Sequence, residues 1–208
     1  MVMNVWLYRA LEESRARGFL GPGSIETQVE HALGFSGVWD ELADSPPQRF
    51  LDLGSGGGLP GLVLFEKWRC GVTLVDSMEK RSKFLLEVLG WEGAPLKGEV
   101  ILGRAERLAR LPEHEARFPL VTARSFGPPA VAAECAVRFL TINGVLIVSE
   151  PPDDHEVGRW SDEGLAKLGL RSEGRRRHGA AFQVLRKIRA TPSRFPRDIG
   201  MPGKTPLF

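Results

Sequence analysis

The densest piece of chemistry in the chain is a carboxylate followed by four glycines within five positions: Leu51-Asp52-Leu53-Gly54-Ser55-Gly56-Gly57-Gly58-Leu59-Pro60-Gly61. Glycine admits positive φ and presents no Cβ, so a ligand can lie directly on such a backbone. Two further groups stand where a bound cofactor would meet them. Asp76 follows the apolar run Val72-Thr73-Leu74-Val75, 22 residues after Gly54, and a carboxylate at that strand tip can accept hydrogen bonds from both hydroxyls of a ribose. It would equally suit as a cap for the helix that follows. Arg124 closes the run Leu120-Val121-Thr122-Ala123, at the carboxyl end of a strand, where open α/β sheets bind ligands.

These groups need a scaffold of alternating strands and helices. Phe50 to Leu53 reads as a buried parallel strand and Leu59 to Trp68 as a helix, with Pro60 in its first turn. Val72 to Val75, Glu99 to Leu102, Leu120 to Ala123 and Gly144 to Val148 read as further strands. Helices are expected from Ser77 and from Pro128-Pro129 through Val137, and a last one over Glu163 to Leu168. Alternation of this kind predicts an α/β fold with a doubly wound, mostly parallel sheet. Leu170 to Arg177 and Ala181 to Ile188, joined through Gly179, predict a closing antiparallel hairpin. Ahead of the sheet, Asn4 to Arg17 and the segment capped by Ser24 predict a short helical cap that contains His31, read as a structural histidine. The expected organisation is a cap over residues 1–48, a catalytic domain over 49–190 and a basic, Pro-rich tail over 191–208.

With 208 residues, 42% hydrophobic and 26% charged, the composition is that of a soluble globular protein. No apolar run reaches membrane-spanning length, and charges interrupt the first 20 residues, so neither a membrane span nor a signal peptide is expected and a cytoplasmic monomer is. Cys70 and Cys135 lack metal-ligand spacing and read as buried structural thiols; no metal site is expected. Net charge is only +2, but residues 171–204 hold ten Lys/Arg against Glu173 and Asp198. That asymmetry predicts a phosphate-binding surface, with Arg175, Arg176 and Arg177 near the hairpin turn.

Gly56-x-Gly58-x-x-Gly61 formally fits a dinucleotide pattern, which keeps an NAD-dependent oxidoreductase as an alternative. The register Asp52-x-Gly54-x-Gly56-x-Gly58 instead resembles the first motif of the class I S-adenosylmethionine-dependent methyltransferases. Leu59-Pro60-Gly61, Asp76-Ser77-x-x-Lys80-Arg81-x-x-Phe84-Leu85 and the tail Arg194-Phe195-Pro196-Arg197 with Gly200-x-Pro202-x-Lys204-x-Pro206-Leu207 narrow the resemblance. They are similar to the ribosomal small subunit methyltransferase G family, also called glucose-inhibited division protein B, from about Arg49 to Phe208.

The resemblance implies a Rossmann-like methyltransferase sheet, S-adenosylmethionine as cofactor and methylation of N7 of a guanine in 16S rRNA. Asp52, Gly54, Gly56, Gly58, Leu59, Asp76, Ala105, Glu106 and Arg124 would hold the donor. Arg124 would also position the reactants, and Lys80, Arg175, Arg176, Arg177, Arg194, Arg197 and Lys204 would hold RNA. N7 carries a lone pair and no proton, so no general base is assigned; alignment and desolvation suffice. The family's N-terminal elements are matched only near His31-Ala32-Leu33-Gly34-Phe35. A diverged enzyme acting on another RNA or a small molecule, and an RNA-binding module without methyl transfer, are the remaining alternatives.

Overall fold

The apolar runs that the sequence marks as strands do pair into one sheet. The structure, a computed structural model, describes residues 4–152 and 158–208. Its elements are α1 (Val5–Ala16), α2 (Ile25–Asp40), β1 (Arg49–Leu53), α3 (Gly61–Trp68), β2 (Gly71–Asp76), α4 (Glu79–Leu89), β3 (Gly98–Leu102), α5 (Ala105–Leu108), β4 (Phe118–Ala123), α6 (Pro129–Ala136), β5 (Leu140–Glu150), α7 (Asp162–Leu168), β6 (Leu170–His178), β7 (Ala180–Lys187) and α8 (Met201–Lys204). The strand order is β3-β2-β1-β4-β5-β7-β6. Strands β1 to β5 pair parallel, and β7 joins β5 and β6 antiparallel. The chain winds outward from β1 to β3 and then returns to β4, so β1 and β4 flank the switch point at which open α/β sheets bind ligands.

Helix α3 begins at Gly61 rather than Leu59, because Pro60 occupies the N-cap and the Leu62 N–H already bonds back to the Gly58 carbonyl at 2.8 Å. Strand β5 is longer than its apolar stretch at both ends. Thr141, Asn143 and Gly144 break the hydrophobic pattern, and Asn143 takes a positive φ of 66° beside a register shift against β4.

Each sheet face carries its own apolar cluster. On one, Phe50, Leu74 and Ile147 of the sheet meet Phe65 of α3, Phe84 of α4 and both N-terminal helices through Trp6, Leu11, Val29 and Phe35. The Trp6 indole N–H donates to the Val88 carbonyl at 3.0 Å, tying α1 to α4. Helix α2 lies on the hairpin, where an added Cβ at Gly34 would stand 2.5 Å from the Phe182 ring. On the opposite face, Leu51, Val121 and Leu146 pack against the alanine-rich α6 and against Leu165 and Leu168 of α7, and Phe195 of the tail inserts into the same cluster.

Candidate functional site

Glycine-loop geometry follows from the hydrogen bonds that the strand ends provide. The N–H groups of Gly54 and Ser55 both donate to the Val75 carbonyl, at 2.8 and 2.9 Å, and Gly58 N–H donates to Ser55 at 2.7 Å. To make these bonds Gly54, Gly56 and Gly58 adopt φ of 73°, 55° and 100°, a region in which any Cβ is strained. Among the four loop glycines only Gly56 would take a Cβ without crowding, 3.8 Å from the Gly54 carbonyl oxygen and 3.9 Å from Arg81 Nη1; at Gly57 it would collide with Ser14, Phe19 and Leu20. The N-terminal segment therefore roofs the loop, and Ser14 Oγ donates to the Gly57 carbonyl at 2.8 Å.

Three contiguous cavities open along the carboxyl ends of the strands. The first, about 240 Å³, is lined by Gly54, Asp76, Met78, Ala105, Glu106 and Phe126 among others. A second, about 280 Å³, lies between Gly54, Gly56, Leu59, Gln28, Arg81 and Arg124. The third, about 380 Å³, is bounded by His31, Arg124, Phe126, Glu150, Arg159 and Trp160. Ser125 lines all three. It follows β4 in a left-handed conformation, φ 53°, a strain that a serine accepts only where surrounding structure fixes it.

The predicted residues divide by position. Gly54, Gly56, Leu59, Asp76, Ala105, Glu106 and Arg124 line the cavities. Asp52 and Gly58 lie beneath the loop and line none of them. The Asp52 carboxylate accepts from the Gly61 N–H at 3.0 Å and the Thr122 hydroxyl at 2.8 Å, so it joins β1 to α3 and β4. Complete burial pushes its carboxyl up to about 6, against the stabilising pull of those two donors.

Asp76 receives the Gly56 N–H on one oxygen and the Met78 N–H on the other, each at 2.8 Å, with Arg81 at 4.0 Å. Each oxygen keeps a lone pair for a further donor. Glu106 is buried and accepts from Arg104 and from the Gly200 N–H, both at 3.0 Å. Burial raises its carboxyl, but these two donors and the nearby positive charge outweigh it and hold it below the ordinary range. Arg124 donates to the Gln28 side chain, and burial lowers its guanidinium while the Asp52 charge supports it.

Much of the basic C-terminal stretch is engaged in bonds within the fold. Arg197 makes four bonds to the fully buried Glu134 through its main-chain N–H, Nε and Nη2, between 2.6 and 3.2 Å. It anchors the tail to α6. Lys187 is 4% exposed, donates to the Leu140 carbonyl, and burial pulls its amine down to about 8. Arg186 forks onto Glu173, and Arg176 pairs with Glu41, the C-cap of α2. Arg175 and Arg177 donate to the carbonyls of Pro151 and Pro152. Arg194, stacked over Phe195 at 4.8 Å, and the exposed Lys80 and Lys204 retain outward positions.

Several site residues gave no signal in the sequence: Gln28, Phe19 and Leu20 enter from the cap, and Phe126, Trp160 and Ser125 from loops. The glycine at position 57 was one available sign of a close-packed neighbour. Among the described residues no cluster of potential metal ligands occurs and no helix is long and apolar enough to cross a membrane.

Comparison with known proteins decides the family. Residues 16–154 match the family profile described as rRNA small subunit methyltransferase G. The chain belongs to that family. Two relatives named ribosomal RNA small subunit methyltransferase G, from Symbiobacterium thermophilum and Pelotomaculum thermopropionicum, are 34% and 31% identical. The alignments cover 88% and 89% of this chain and 79% and 80% of theirs. Because the match begins at residue 16, the methyltransferase G likeness includes most of the N-terminal cap that the sequence motifs left outside it. Among solved structures, MtNAS in complex with S-adenosylmethionine aligns at TM-score 0.60 and 15% identity, covering 87% of this chain and 73% of that one. The cyclase SpnF aligns at 0.61 and 16%, covering 88% and 93%. These two likenesses carry the Rossmann-like fold and nothing about the reaction.

Proposed function

We propose that this protein is an S-adenosylmethionine-dependent methyltransferase that methylates N7 of a guanine in 16S rRNA. One observation carries the reading: in a member of this family, three contiguous cavities meet at Ser125 and Arg124 on the sheet's switch point. Such an arrangement gives room for a nucleoside, an amino-acid moiety and an acceptor base side by side.

The residues present fit the cofactor. Asp76, with one lone pair left on each oxygen, would take the ribose hydroxyls. Ala105 and Glu106 would border the adenine in the first cavity. Gly56, the loop glycine at which a Cβ would meet no crowding from the protein, and Leu59 would receive the methionine part in the second. S-adenosylmethionine, when bound, supplies an electrophilic sulfonium methyl.

The chain's own contribution is positioning. Asp52 fixes the loop to α3 and β4 without touching ligand. Arg124, clamped by Gln28, fixes the edge between donor and acceptor, and Phe19 and Leu20 of the roof line the second cavity. Since guanine N7 has no proton, alignment in a desolvated cleft is the whole requirement.

To test this, the purified protein is incubated with labelled S-adenosylmethionine and small ribosomal subunits from a strain lacking its own methyltransferase G. Label at a single guanine N7 is expected; label elsewhere, or none, overturns the assignment. Asp76→Ala should weaken cofactor binding at least tenfold by calorimetry, and an unchanged affinity would remove Asp76 from the ribose site.

A further inference from the structure

The third cavity has a chemistry that the donor site does not use. Three of its walls carry a buried nitrogen without a hydrogen-bond partner among the described residues: His31 Nδ1, Arg124 Nη1 and Trp160 Nε1. An unsatisfied buried polar atom is costly, and three around one cavity ask for a ligand that satisfies them. Arg124 and the indole of Trp160 can only donate there. His31 is held uncharged, since burial and the neighbouring Arg124 draw it down to about 4. The same lining includes the carboxylate of Glu150, 3.0 Å from Arg159 Nε, as an acceptor. Phe126 and Trp160 offer aromatic surface for a planar ring. At about 380 Å³ the space is in the range of small-molecule sites, and it shares Arg124, Ser125 and Phe126 with the linings of the donor cavities.

We propose that this cavity receives the acceptor base, with Arg124 Nη1–H and the Trp160 indole N–H donating to O6 of guanine and Glu150 accepting its N1–H. The proposal rests on the methyltransferase reading and deepens it, because it gives the basis of base selection. Adenine presents an amino group where guanine has O6, so two fixed donors there leave adenine with unpaired groups and exclude it. Entry requires the target base to leave its stack, as bases do for enzymes that modify them. The histidine read from sequence as purely structural thus becomes a wall of the acceptor pocket.

The test compares RNA substrates that carry guanine, inosine or 2-aminopurine at the labelled position. All three keep N7. Inosine keeps O6 and N1–H, whereas 2-aminopurine lacks both. Wild-type kcat/KM should be similar for guanine and inosine and roughly 100-fold lower for 2-aminopurine. Trp160→Phe, which keeps the ring and removes the N–H, should lower kcat/KM for guanine about tenfold, leave 2-aminopurine unchanged and leave S-adenosylmethionine affinity unaltered by calorimetry.

An equal fall for both bases, no fall for either, or a parallel loss of cofactor affinity overturns the pocket assignment while methylation itself stands. Should Trp160→Phe fail to fold, the wild-type ratios decide: 2-aminopurine accepted as well as guanine overturns the proposal. A wild-type enzyme that labels no RNA overturns the functional reading and the pocket with it.

Discussion

The glycine loop and the C-terminal tail both reach the first cavity, the loop through Gly54 and the tail through Gly200 on Glu106, yet they are held by opposite means. The loop is fixed through its own N–H groups, which donate to the main-chain carbonyls of Ser55 and of Val75 on neighbouring β2 and, at Gly56, to the Asp76 carboxylate. The tail is fixed by distant charged side chains. Arg110 donates to the carbonyls of Ser193, Arg194 and Pro196, Arg138 donates to those of Pro192 and Phe195, and Glu134 holds Arg197. A turn built on main-chain bonds depends on what each residue can adopt. A tail built on buried charges depends on partners that pair across the fold, where loss of one member leaves the other uncompensated.

The largest effect therefore belongs to the tail. Glu134→Gln is expected to destabilise the protein by about 3 kcal/mol in urea unfolding, because Arg197 loses the carboxylate it surrounds. A loss under about 1 kcal/mol would mean that Arg110 and Arg138 suffice, and the comparison would lose its basis.

Within the loop region, two alanine substitutions separate packing from ligand space. At Gly61 the new Cβ would lie 2.5 Å from Leu74 and 2.6 Å from Asp52 Oδ2, both buried; a cost of about 2 kcal/mol is expected from overpacking. At Gly56 the cost is confined to the positive φ, about 1 kcal/mol. The methyl would be added to the lining of the second cavity, in uncrowded contact with Arg81, so cofactor affinity should fall by at least tenfold. Equal losses of stability, with cofactor affinity intact in Gly56→Ala, would show that the loop does not receive the donor.

The same contrast explains what was legible in the chain. Backbone demands are local, so the turn after β1, the parallel sheet, the closing hairpin and Asp76 at its strand tip could be read from residue type and spacing. Element ends moved by a few residues where Pro60 took a cap or where polar Thr141 and Asn143 continued a strand. Consumption of charge is not local. Nothing near Arg197 announces Glu134, 63 residues away, and nothing near Lys187 announces the Leu140 carbonyl. Gln28 and Trp160 were invisible for the same reason, since they come to the site only when α2 and the segment before α7 are packed.

The smallest effect distinguishes two buried titrating groups, one under the loop and one in the cap. Asp52 has a folded value near 6, above its ordinary 3.8. Between about pH 6 and 4 the folded state holds more protons than the unfolded chain at this group, so its contribution to stability rises as pH falls. His31 has a folded value near 4, below its ordinary 6.5. From pH 6.5 toward 4 the unfolded chain takes up the proton first, and its contribution falls. The two slopes oppose each other over the same interval and mask one another in the wild type. Removing either one should expose its counterpart. Asp52→Asn is expected to lose stability more steeply than wild type between pH 6.5 and 4, and His31→Gln less steeply. Urea unfolding at four or five pH values gives both slopes, and the sign of the difference is the readout, whatever each substitution does to stability at pH 7. Slopes that shift in the same direction would mean that one of these groups is solvated in the folded protein, and the contrast between a sealed loop base and a neutral histidine wall would not hold.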